Sequence, residues 1–522
     1  MTNRIENIVI VGGGTAGWLA ANYLNRSLNR TGPHCKITLI ESSEIETVGV
    51  GEATLPTLRG TLHFLGFDER EWMVRCNATF KLTIKFVNWL TGNDAYWFPF
   101  QPPIIKKYPI AEYWLKRHLQ GGSEPLSKAF GAAVHLCEKQ KSAKTLDQGD
   151  YEGLVNYAYQ LDAGLLAAYL KEKAIEGGVE HIVDNVLSTT LTENGFINHL
   201  TTDNNGDLSA DLFIDCSGFR GLLINQALQE PFVSFRDVLF CDQAVAINVP
   251  TDDMSQGVNP YTTATALSSG WVWHIPLYGR TGNGYVYGSN FISSEAAEIE
   301  FRQHLGPSAQ DIEARHLQMR IGHNRRVWVK NCVSLGLASG FIEPLESTGI
   351  FLIEVGLEHL VRNFPDKQFS PIFMDNYNRI MTYYYEEIRD FITLHYCITR
   401  RTDTPFWQAY RFHKNLPDNV QARLEQARVK LPSDHDFLYS GHLNNVLAYA
   451  YTNILGGMNY LPEGSSPILD YEDEQRIDQV FAAIQIETEQ LDQTLPEHYQ
   501  YLQKMHLFEP LRAVFRQENK LS

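Results

Sequence analysis

Positive charge and long apolar runs are both scarce in this chain of 522 residues. Lys and Arg number 44 against 61 Asp and Glu, which gives a formal net charge of −17. A chain this acidic is not expected to have nucleic acid or an anionic membrane as its main partner. No apolar run reaches the roughly 18 residues that a membrane-spanning helix needs, so we expect no membrane segment.

Cysteines are few and do not follow the spacing of a metal site or a disulfide framework. The seven cysteines are scattered, without a CxxC pair. The first residues, MTNRIENIVIVGGG, lead directly into a strand pattern, without the apolar core and cleavage site of a signal peptide. We therefore expect buried thiols, no metal and a cytoplasmic location.

The first βαβ unit is the clearest pattern in the sequence. A strand leads to a glycine turn and a helix, and a second strand ends at Glu41. Gly12 permits the tight turn, Gly14 lets the backbone approach a pyrophosphate, and Gly17 allows close packing of helix on strand. The pattern predicts a Rossmann-like, dinucleotide-binding fold of the α/β class. A tight turn that binds no ligand is the alternative.

Two later segments fit the same nucleotide fold. An apolar strand at Leu212–Ile214 runs into Asp215 and a turn at Gly218, and a strand near residue 333 precedes a helix from about Thr348. A fold assembled from such distant pieces carries long insertions, where substrate is usually held. Beyond residue 375 helical patterns dominate. The predicted domains are therefore a nucleotide-binding core at 1–375 with inserted substrate-site segments, and a mainly helical subdomain at 376–522 packed on it.

The stretch FKLTIKF at residues 80–86 alternates in the manner of a half-buried strand. Its even-numbered positions are apolar, while Lys81 and Lys85 share the opposite face. An amphipathic strand with two solvated lysines is one interpretation, and a functional lysine is the other.

Two further stretches contain candidate site residues, which are aromatic in the first stretch and acidic in the second. In GWVWHIP, Trp271 and Trp273 lie two apart on a predicted strand and face the same way; core packing is the alternative. In EPLESTGIF, Glu346 comes just before a helix start, where the N–H groups of Thr348 and Gly349 would attract an anion. An acid that stabilises the helix dipole is the alternative there.

With these stretches in their order along the chain, the sequence resembles the flavin-dependent halogenases, in the group that includes the tryptophan halogenases. The shared stretches are GGGTAGW (12–18), GVGEATLP (49–56), FKLTIKF (80–86), DCSGFRGLLIN (215–225), WVWHIP (271–276), EPLESTGI (343–350) and RTDTPFW (401–407). The resemblance extends to about residue 410 and is weaker beyond. The WxWxIP element is fairly specific, because it distinguishes these enzymes from related flavin hydroxylases.

The resemblance implies a two-component enzyme. A separate NAD(P)H-dependent flavin reductase would supply FAD as FADH2, and O2 and a halide (chloride or bromide) would be consumed. A halide near the N–H groups of Thr348 and Gly349 would become hypohalous acid, which would pass internally to Lys81. Glu346, in the same secluded chamber, would orient the oxidant or take the ring proton. The expected reaction is halogenation of a small, electron-rich, indole-type aromatic. A flavin-dependent aromatic hydroxylase and a non-catalytic flavin-binding protein are the alternatives.

The resemblance also implies further site residues. The cofactor-binding positions are Gly12, Gly13, Gly14, Thr15, Ala16, Gly17, Glu41, Gly51, Glu52, Ala53, Pro344 and Ile350. The substrate and tunnel positions are Trp97, Phe98, Phe100, Trp271, Trp273, Ser347 and Tyr451.

The substrate region departs from the family pattern. Trp97 and Pro99 are aligned with the His and Phe that sandwich the indole in tryptophan halogenases, and the C-terminal region retains Tyr451 without the paired tyrosines. We therefore expect indole, a substituted indole or another electron-rich aromatic as substrate, not free tryptophan. A homodimer is the expected assembly.

Overall fold

The structure is a computed structural model that describes residues 3–44, 51–100, 109–433, 436 and 444–508, without the side chains of 444–446. The chain forms two compact units, each assembled from three segments. The first unit comprises Met1–Asn77, Leu161–Asp242 and Leu317–Arg389. The second unit comprises Ala78–Gln160, Gln243–His316 and Asp390–Ser522.

The described strands, in chain order, are β1 (Asn7–Val11), β2 (Lys36–Glu41), β3 (Gly51–Ala53), β4 (Thr79–Lys81), β5 (Thr83–Val87), β6 (Ala95–Pro99), β7 (Ala158–Asp162), β8 (Glu180–Val183), β9 (Val186–Leu191), β10 (Ile197–Thr202), β11 (Asp207–Ser209), β12 (Leu212–Asp215), β13 (Phe232–Ser234), β14 (Gln243–Pro250), β15 (Tyr261–Ala266), β16 (Gly270–Leu277), β17 (Arg280–Tyr287), β18 (Arg315–Gln318), β19 (Gly322–Asn324), β20 (Trp328–Val329), β21 (Cys332–Ser334) and β22 (Gly340–Phe341).

The described helices are α1 (Thr15–Leu28), α2 (Thr57–Leu65), α3 (Glu69–Arg75), α4 (Ile110–Leu119), α5 (Leu126–Ala129), α6 (Ala133–Glu138), α7 (Ala163–Glu176), α8 (Asp253–Gln256), α9 (Ser294–Leu305), α10 (Thr348–Arg362), α11 (Pro371–Cys397), α12 (Pro405–Arg411), α13 (Asp418–Ala427), α14 (Asn444–Gly457) and α15 (Glu474–Thr494). Residues 498–508 are also helical. No helix in the described part of the chain is both long and apolar enough to cross a bilayer.

The first unit is built on a six-stranded sheet in the order β20-β21-β12-β1-β2-β8. Strand β1 pairs in parallel with β2 on one side and with β12 on the other, and β12 pairs in parallel with β21. The central strands are apolar runs buried on both faces, as covered parallel sheets require. The predicted Rossmann-like α/β fold is confirmed, and so are the strand at 212–214 and the helix from Thr348.

The second unit contains a mostly antiparallel sheet in the order β18-β14-β17-β16-β15-β5-β6. Strand β5 pairs in parallel with β15 and antiparallel with β6. A core cluster that includes Val245, Val272, Tyr285 and Phe301 joins α9 to one face of this sheet.

The single strand predicted over residues 80–86 is wrong in one respect, because the structure has two short strands there. The chain leaves β4 at Leu82, whose N–H donates to the carbonyl oxygen of Pro260 (2.8 Å) and whose carbonyl accepts from Phe100 (3.0 Å). Strand β4 then pairs with β7, and β5 joins the large sheet. These backbone partners lie far along the chain and leave no trace in the local alternation.

The C-terminal region is mainly helical in its described residues, as predicted. Helix α11 is continuous through residues 375 and 376, so the predicted domain boundary falls inside it. The division into domains at that point stays a prediction. All seven cysteines are free thiols, and only Cys397 is more than slightly exposed.

Candidate functional site

The glycine turn after β1 lies where the ends of three parallel strands meet. A Cβ atom on Gly12 would lie 2.2 Å from the carbonyl oxygen of Cys216, directly after β12. A Cβ on Gly17 would lie 1.8 Å from the Gly12 carbonyl oxygen, and one on Gly336, after β21, would lie 2.7 Å from the Cβ of Ala16. Only glycine fits these close approaches, and the carboxyl ends of parallel strands are where α/β folds bind ligands.

The N-terminus of α1 suits a pyrophosphate. Helix α1 starts at Thr15 after Gly14, which provides no side-chain cap, and its first turn carries no acidic residue. A Cβ on Gly14 would meet nothing within 4 Å, so this side of the turn is open. The first N–H groups of a helix lack intrahelical acceptors and attract anions. The residues present therefore fit the diphosphate of a dinucleotide such as FAD.

Glu41 lies against the same turn. Its Oε1 atom is 2.7 Å from Lys171 Nζ and 2.8 Å from His181 Nε2. Its Oε2 atom would be 1.5 Å from a Cβ on Gly13, so the carboxylate packs directly on the glycine backbone. Acceptance of a ribose hydroxyl by Glu41 stays a prediction.

A buried carboxyl that the sequence patterns did not reveal links two helices of the first unit. Glu354, on α10, is 6% exposed. Thr57 and Thr61, one turn apart on α2, donate to its two oxygens at 2.9 and 2.5 Å. Burial raises the pKa of Glu354 to about 7. Because α2 follows the predicted cofactor strand β3 and α10 begins at the predicted halide position, this carboxyl joins both segments. Desolvation also raises the pKa of Glu52, in β3, to about 7.

The raised pKa of Glu354 predicts a pH-dependent cost in stability. The folded state retains a proton that the unfolded state loses between pH 4.5 and about 7. Wild type should therefore lose stability relative to Glu354→Gln as pH rises through this window, by at most about 1.4 kcal/mol per pH unit. Urea unfolding of both proteins across the window measures the difference. Glu193→Gln, which removes an exposed carboxylate outside this cluster, is the control, and a pH-independent difference for Glu354→Gln would refute the prediction.

The stretch before α10 forms a tight turn. Residues Pro344–Glu346 form a 3-10 turn, and Ser347 follows with φ of 57°, in the left-handed region that is costly for a residue with a side chain. Helix α10 has no side-chain cap and no acid in its first turn, while Gly349 is exposed and open on its Cβ side. The N–H groups of Thr348 and Gly349 thus lie at an uncapped helix N-terminus. Glu346 is 3% exposed.

Lys81, which belongs to the second unit, is fully buried. Its exposed fraction is 0%, and its Nζ atom lies 4.8 Å from the centre of the Phe100 ring. Lysine is almost never fully buried without a specific reason, so the interpretation as a solvated lysine is excluded for Lys81. Lys85 is only half-buried, with Nζ 5.0 Å from the centre of the Trp97 ring.

A row of aromatic rings leads away from Lys81 within the second unit. The ring centres of Phe100 and Phe98 are 6.2 Å apart, Phe98 and Phe391 are 6.3 Å apart, and Phe391 and Tyr451 are 5.0 Å apart. This aromatic row, Phe100–Phe98–Phe391–Tyr451, contacts the lysine at one end.

Arg423 contacts one end of this aromatic row, whereas Trp97 lies outside it. Arg423, which sequence reasoning missed, donates to the hydroxyl of Tyr451 at the far end. Trp97 alternates to the other face of β6, where it packs against Tyr261 at 4.8 Å and pairs with Lys85. The structure therefore places Phe100 against Lys81, with Phe98 next in the aromatic row, and Trp97 against Lys85.

The two tryptophans of β16 share one face, as predicted. Their ring centres are 6.3 Å apart. Gly284, opposite Trp273 in the sheet, makes room for the indole, because a Cβ there would lie 2.0 Å from the ring. The buried N–H of Trp273 has no hydrogen-bond acceptor among the described residues. A buried N–H group without an acceptor is energetically costly, which suggests that a polar atom of a bound molecule accepts from it.

Lys81 belongs to the second unit and Glu346 to the first. Both side chains are buried. That the two side chains share a chamber, and that a passage reaches it, stays a prediction.

Known proteins resemble the chain over nearly its whole length. The tryptophan halogenase family model matches residues 7–474. The 7-chloro-L-tryptophan 6-halogenase KtzR of Kutzneria sp. (strain 744) is 40% identical over 520 residues, covering 95% of this chain and 99% of that protein. The tryptophan 7-halogenase RebH of Lentzea aerocolonigenes is 39% identical, covering 97% of this chain and 100% of that protein. The crystal structure of the tryptophan 6-halogenase SttH of Streptomyces toxytricini superimposes with a TM-score of 0.90 at 39% identity, covering 95% and 99% of the two chains.

Proposed function

The chain belongs to the tryptophan halogenase family, and we propose that it halogenates an indole-type aromatic ring with halogen delivered by the Lys81 amine. The observation that carries this proposal is the complete burial of Lys81 beside the ring of Phe100. An amine removed from water in an aromatic setting is suited to hold a reactive halogen away from solvent.

A separate reductase would provide FAD in its reduced form. When bound, reduced FAD would supply hypohalous acid from O2 and halide. The glycine turn of residues 12–17, Glu41 and strand β3 would hold the cofactor, with Pro344 and Ile350 flanking the α10 turn. The uncapped N-terminus of α10 supports a halide position at the N–H groups of Thr348 and Gly349.

Confinement of the oxidant is the proposed task of Trp271, Trp273 and Ser347. Apolar tryptophan faces exclude water, and water exclusion prevents loss of a reactive species. The orphan N–H of Trp273 offers a donor to the oxygen of hypohalous acid in passage.

Lys81 would transfer halogen in a balanced step. The nitrogen lone pair of the amine attacks the halogen of hypohalous acid, the oxygen–halogen bond breaks, and a proton from the nitrogen leaves with the hydroxide as water. The ring π-electrons then attack the halogen, the N–halogen bond breaks, and its electron pair returns to the nitrogen. Glu346 takes the proton that leaves the ring, as a general base, and a proton passed back to the nitrogen restores the amine. Holding hypohalous acid by a hydrogen bond from the same amine is the alternative form of delivery.

Phe98 and Phe100 are the rings that we propose stack on the substrate, since both lie with Lys81. Tyr451 and Arg423, at the end of the aromatic row, would contact a substituent of the ring. The expectation that indole or a substituted indole is preferred over free tryptophan is part of this proposal.

One assay tests the proposal against its alternatives. The protein is mixed anaerobically with chemically reduced FAD, and then O2, bromide and either indole or L-tryptophan are added. We expect brominated product by mass spectrometry, with more from indole. Oxygen in place of bromine would indicate a hydroxylase, and FAD binding without product would indicate a non-catalytic protein. Bromination of L-tryptophan and not of indole would overturn the proposed substrate preference but would leave the assignment as a halogenase intact.

A further inference from the structure

The strand that carries Lys81 is short and has few ladder bonds of its own. Strand β4 has three residues, and its Thr79, Phe80 and Lys81 pair with Gln160, Tyr159 and Ala158 of β7. The chain turns away immediately after Lys81. The position of the amine therefore depends on whatever else fixes the backbone of β4.

A histidine from the C-terminal region makes one such contact. The N–H of Phe80, the residue before Lys81, donates to His498 Nε2 at 3.1 Å. His498 Nδ1 lies 2.9 Å from the carbonyl oxygen of Val258. A backbone N–H can only donate and a carbonyl can only accept, so these contacts require a neutral imidazole with its proton on Nδ1.

The surroundings of His498 support this neutral form. The side chain is fully buried, and the imidazole is stacked on the Phe80 ring with centres 5.8 Å apart. Burial lowers its pKa to about 4. The imidazole thus accepts from Phe80 at any ordinary pH.

A second buried group braces the same strand. Gln160 Nε2 lies 3.0 Å from Thr79 Oγ1, 3.2 Å from the Phe80 carbonyl oxygen and 3.3 Å from that of Asn259. The Thr79 hydroxyl donates to the Pro276 carbonyl oxygen at 2.7 Å.

The outer ends of these hydrogen bonds border a cavity. Val258, Asn259 and Pro276, which supply the acceptors, line a cavity of about 400 Å³. Side chains do not fill the space behind these residues, so close packing alone does not fix them. Directional hydrogen bonds then set the position of β4 relative to this wall.

We propose that His498 is a positioning residue that holds the backbone of β4 so that the Lys81 amine is placed for halogen transfer. The inference rests on the proposed function of Lys81. His498 itself contacts Phe80 and Val258, with no part in the transfer. A displacement of about 1 Å in a reacting group can cost about 10²-fold in rate, so this hydrogen bond should be visible in turnover.

Two amide variants separate the two contacts of the imidazole. In His498→Gln the terminal amide reaches the Nε2 position and can still accept from Phe80. In His498→Asn the amide reaches only the Nδ1 position, which keeps the donor to Val258 and loses the acceptor for Phe80. The measurement is brominated product formed per FADH2 consumed, with indole and bromide.

We expect His498→Asn to lower this ratio between about 10-fold and 10²-fold while FADH2 is consumed at the wild-type rate. His498→Gln should retain a ratio near wild type. A purely structural role would lower the amount of folded, FAD-binding protein. Because free FADH2 is also oxidised by O2 without enzyme, the variants are compared at equal concentrations of FAD-bound protein. Thr79→Val, which removes the bond to Pro276 within a side chain of the same shape, should lower the ratio in the same manner if His498→Asn does not fold.

Equal ratios in His498→Asn and His498→Gln would overturn this inference and leave the proposed function intact. If His498→Asn does not fold, a wild-type ratio in Thr79→Val would do the same. A wild-type protein that forms no brominated product would overturn the proposed function, and this inference with it.

Discussion

Replacement of Lys81 by Met lowers halogenation by about 10³-fold, while FADH2 is still consumed. The estimate follows the loss that removal of one preorganised polar group causes in a buried active site. Met occupies similar volume and has neither amine nor charge, so hypohalous acid reaches the aromatic row with nothing to hold it. Because Lys81 lies in the buried core, circular dichroism of the variant checks that the loss of activity is not a loss of folding.

Lys85→Met is the matched control for Lys81→Met. Lys85 lies on the next strand and also contacts an aromatic ring, that of Trp97. We expect near-normal halogenation from this variant. Product from Lys81→Met at the level of Lys85→Met would remove Lys81 from the mechanism.

Glu346→Gln is expected to lower turnover by about 10²-fold, the lower end of what a general base contributes. The amide keeps the shape of the buried carboxylate and one of its two acceptor oxygens but cannot take the proton from the halogenated ring. The fall should therefore appear in kcat more than in KM for the aromatic substrate.

Steady-state halogenation across a range of substrate concentrations measures this effect. Glu343→Gln, an equally buried carboxylate in the same turn, controls for the loss of a buried charge. If both variants lose activity equally, the carboxylates support the turn, and the base lies elsewhere.

The cofactor turn was predictable because its requirements are local. Gly12, Gly14 and Gly17 follow a strand and open a helix, and at Gly12 and Gly17 close approach of backbone to backbone permits no other residue. The start of α10 at Thr348 and the shared face of Trp271 and Trp273 likewise follow from short patterns of helix and strand.

The features that the sequence did not reveal depend on distant partners. The break between β4 and β5 is set by the carbonyl of Pro260, and the imidazole that supports Phe80 is 418 residues away in sequence. Glu354 is the only charged residue in the first ten positions of α10, and its role becomes visible only when α2 brings Thr57 and Thr61 against it. Such contacts leave no periodicity in the chain.

The aromatic residues near the substrate show the same limit. Period-two alternation separates Trp97 from Phe98, but it does not say which face of β6 meets the lysine. The contacts answer this question, because Phe98 and Phe100 lie on the side of Lys81.

The claim that the primary amine at position 81 delivers the halogen is tested most directly by Lys81→Arg, which keeps a long basic side chain but has no comparable amine. The measurement is brominated indole formed per FADH2 consumed. We predict that FADH2 consumption continues and that brominated indole is lost. A wild-type yield from Lys81→Arg would contradict delivery by the amine.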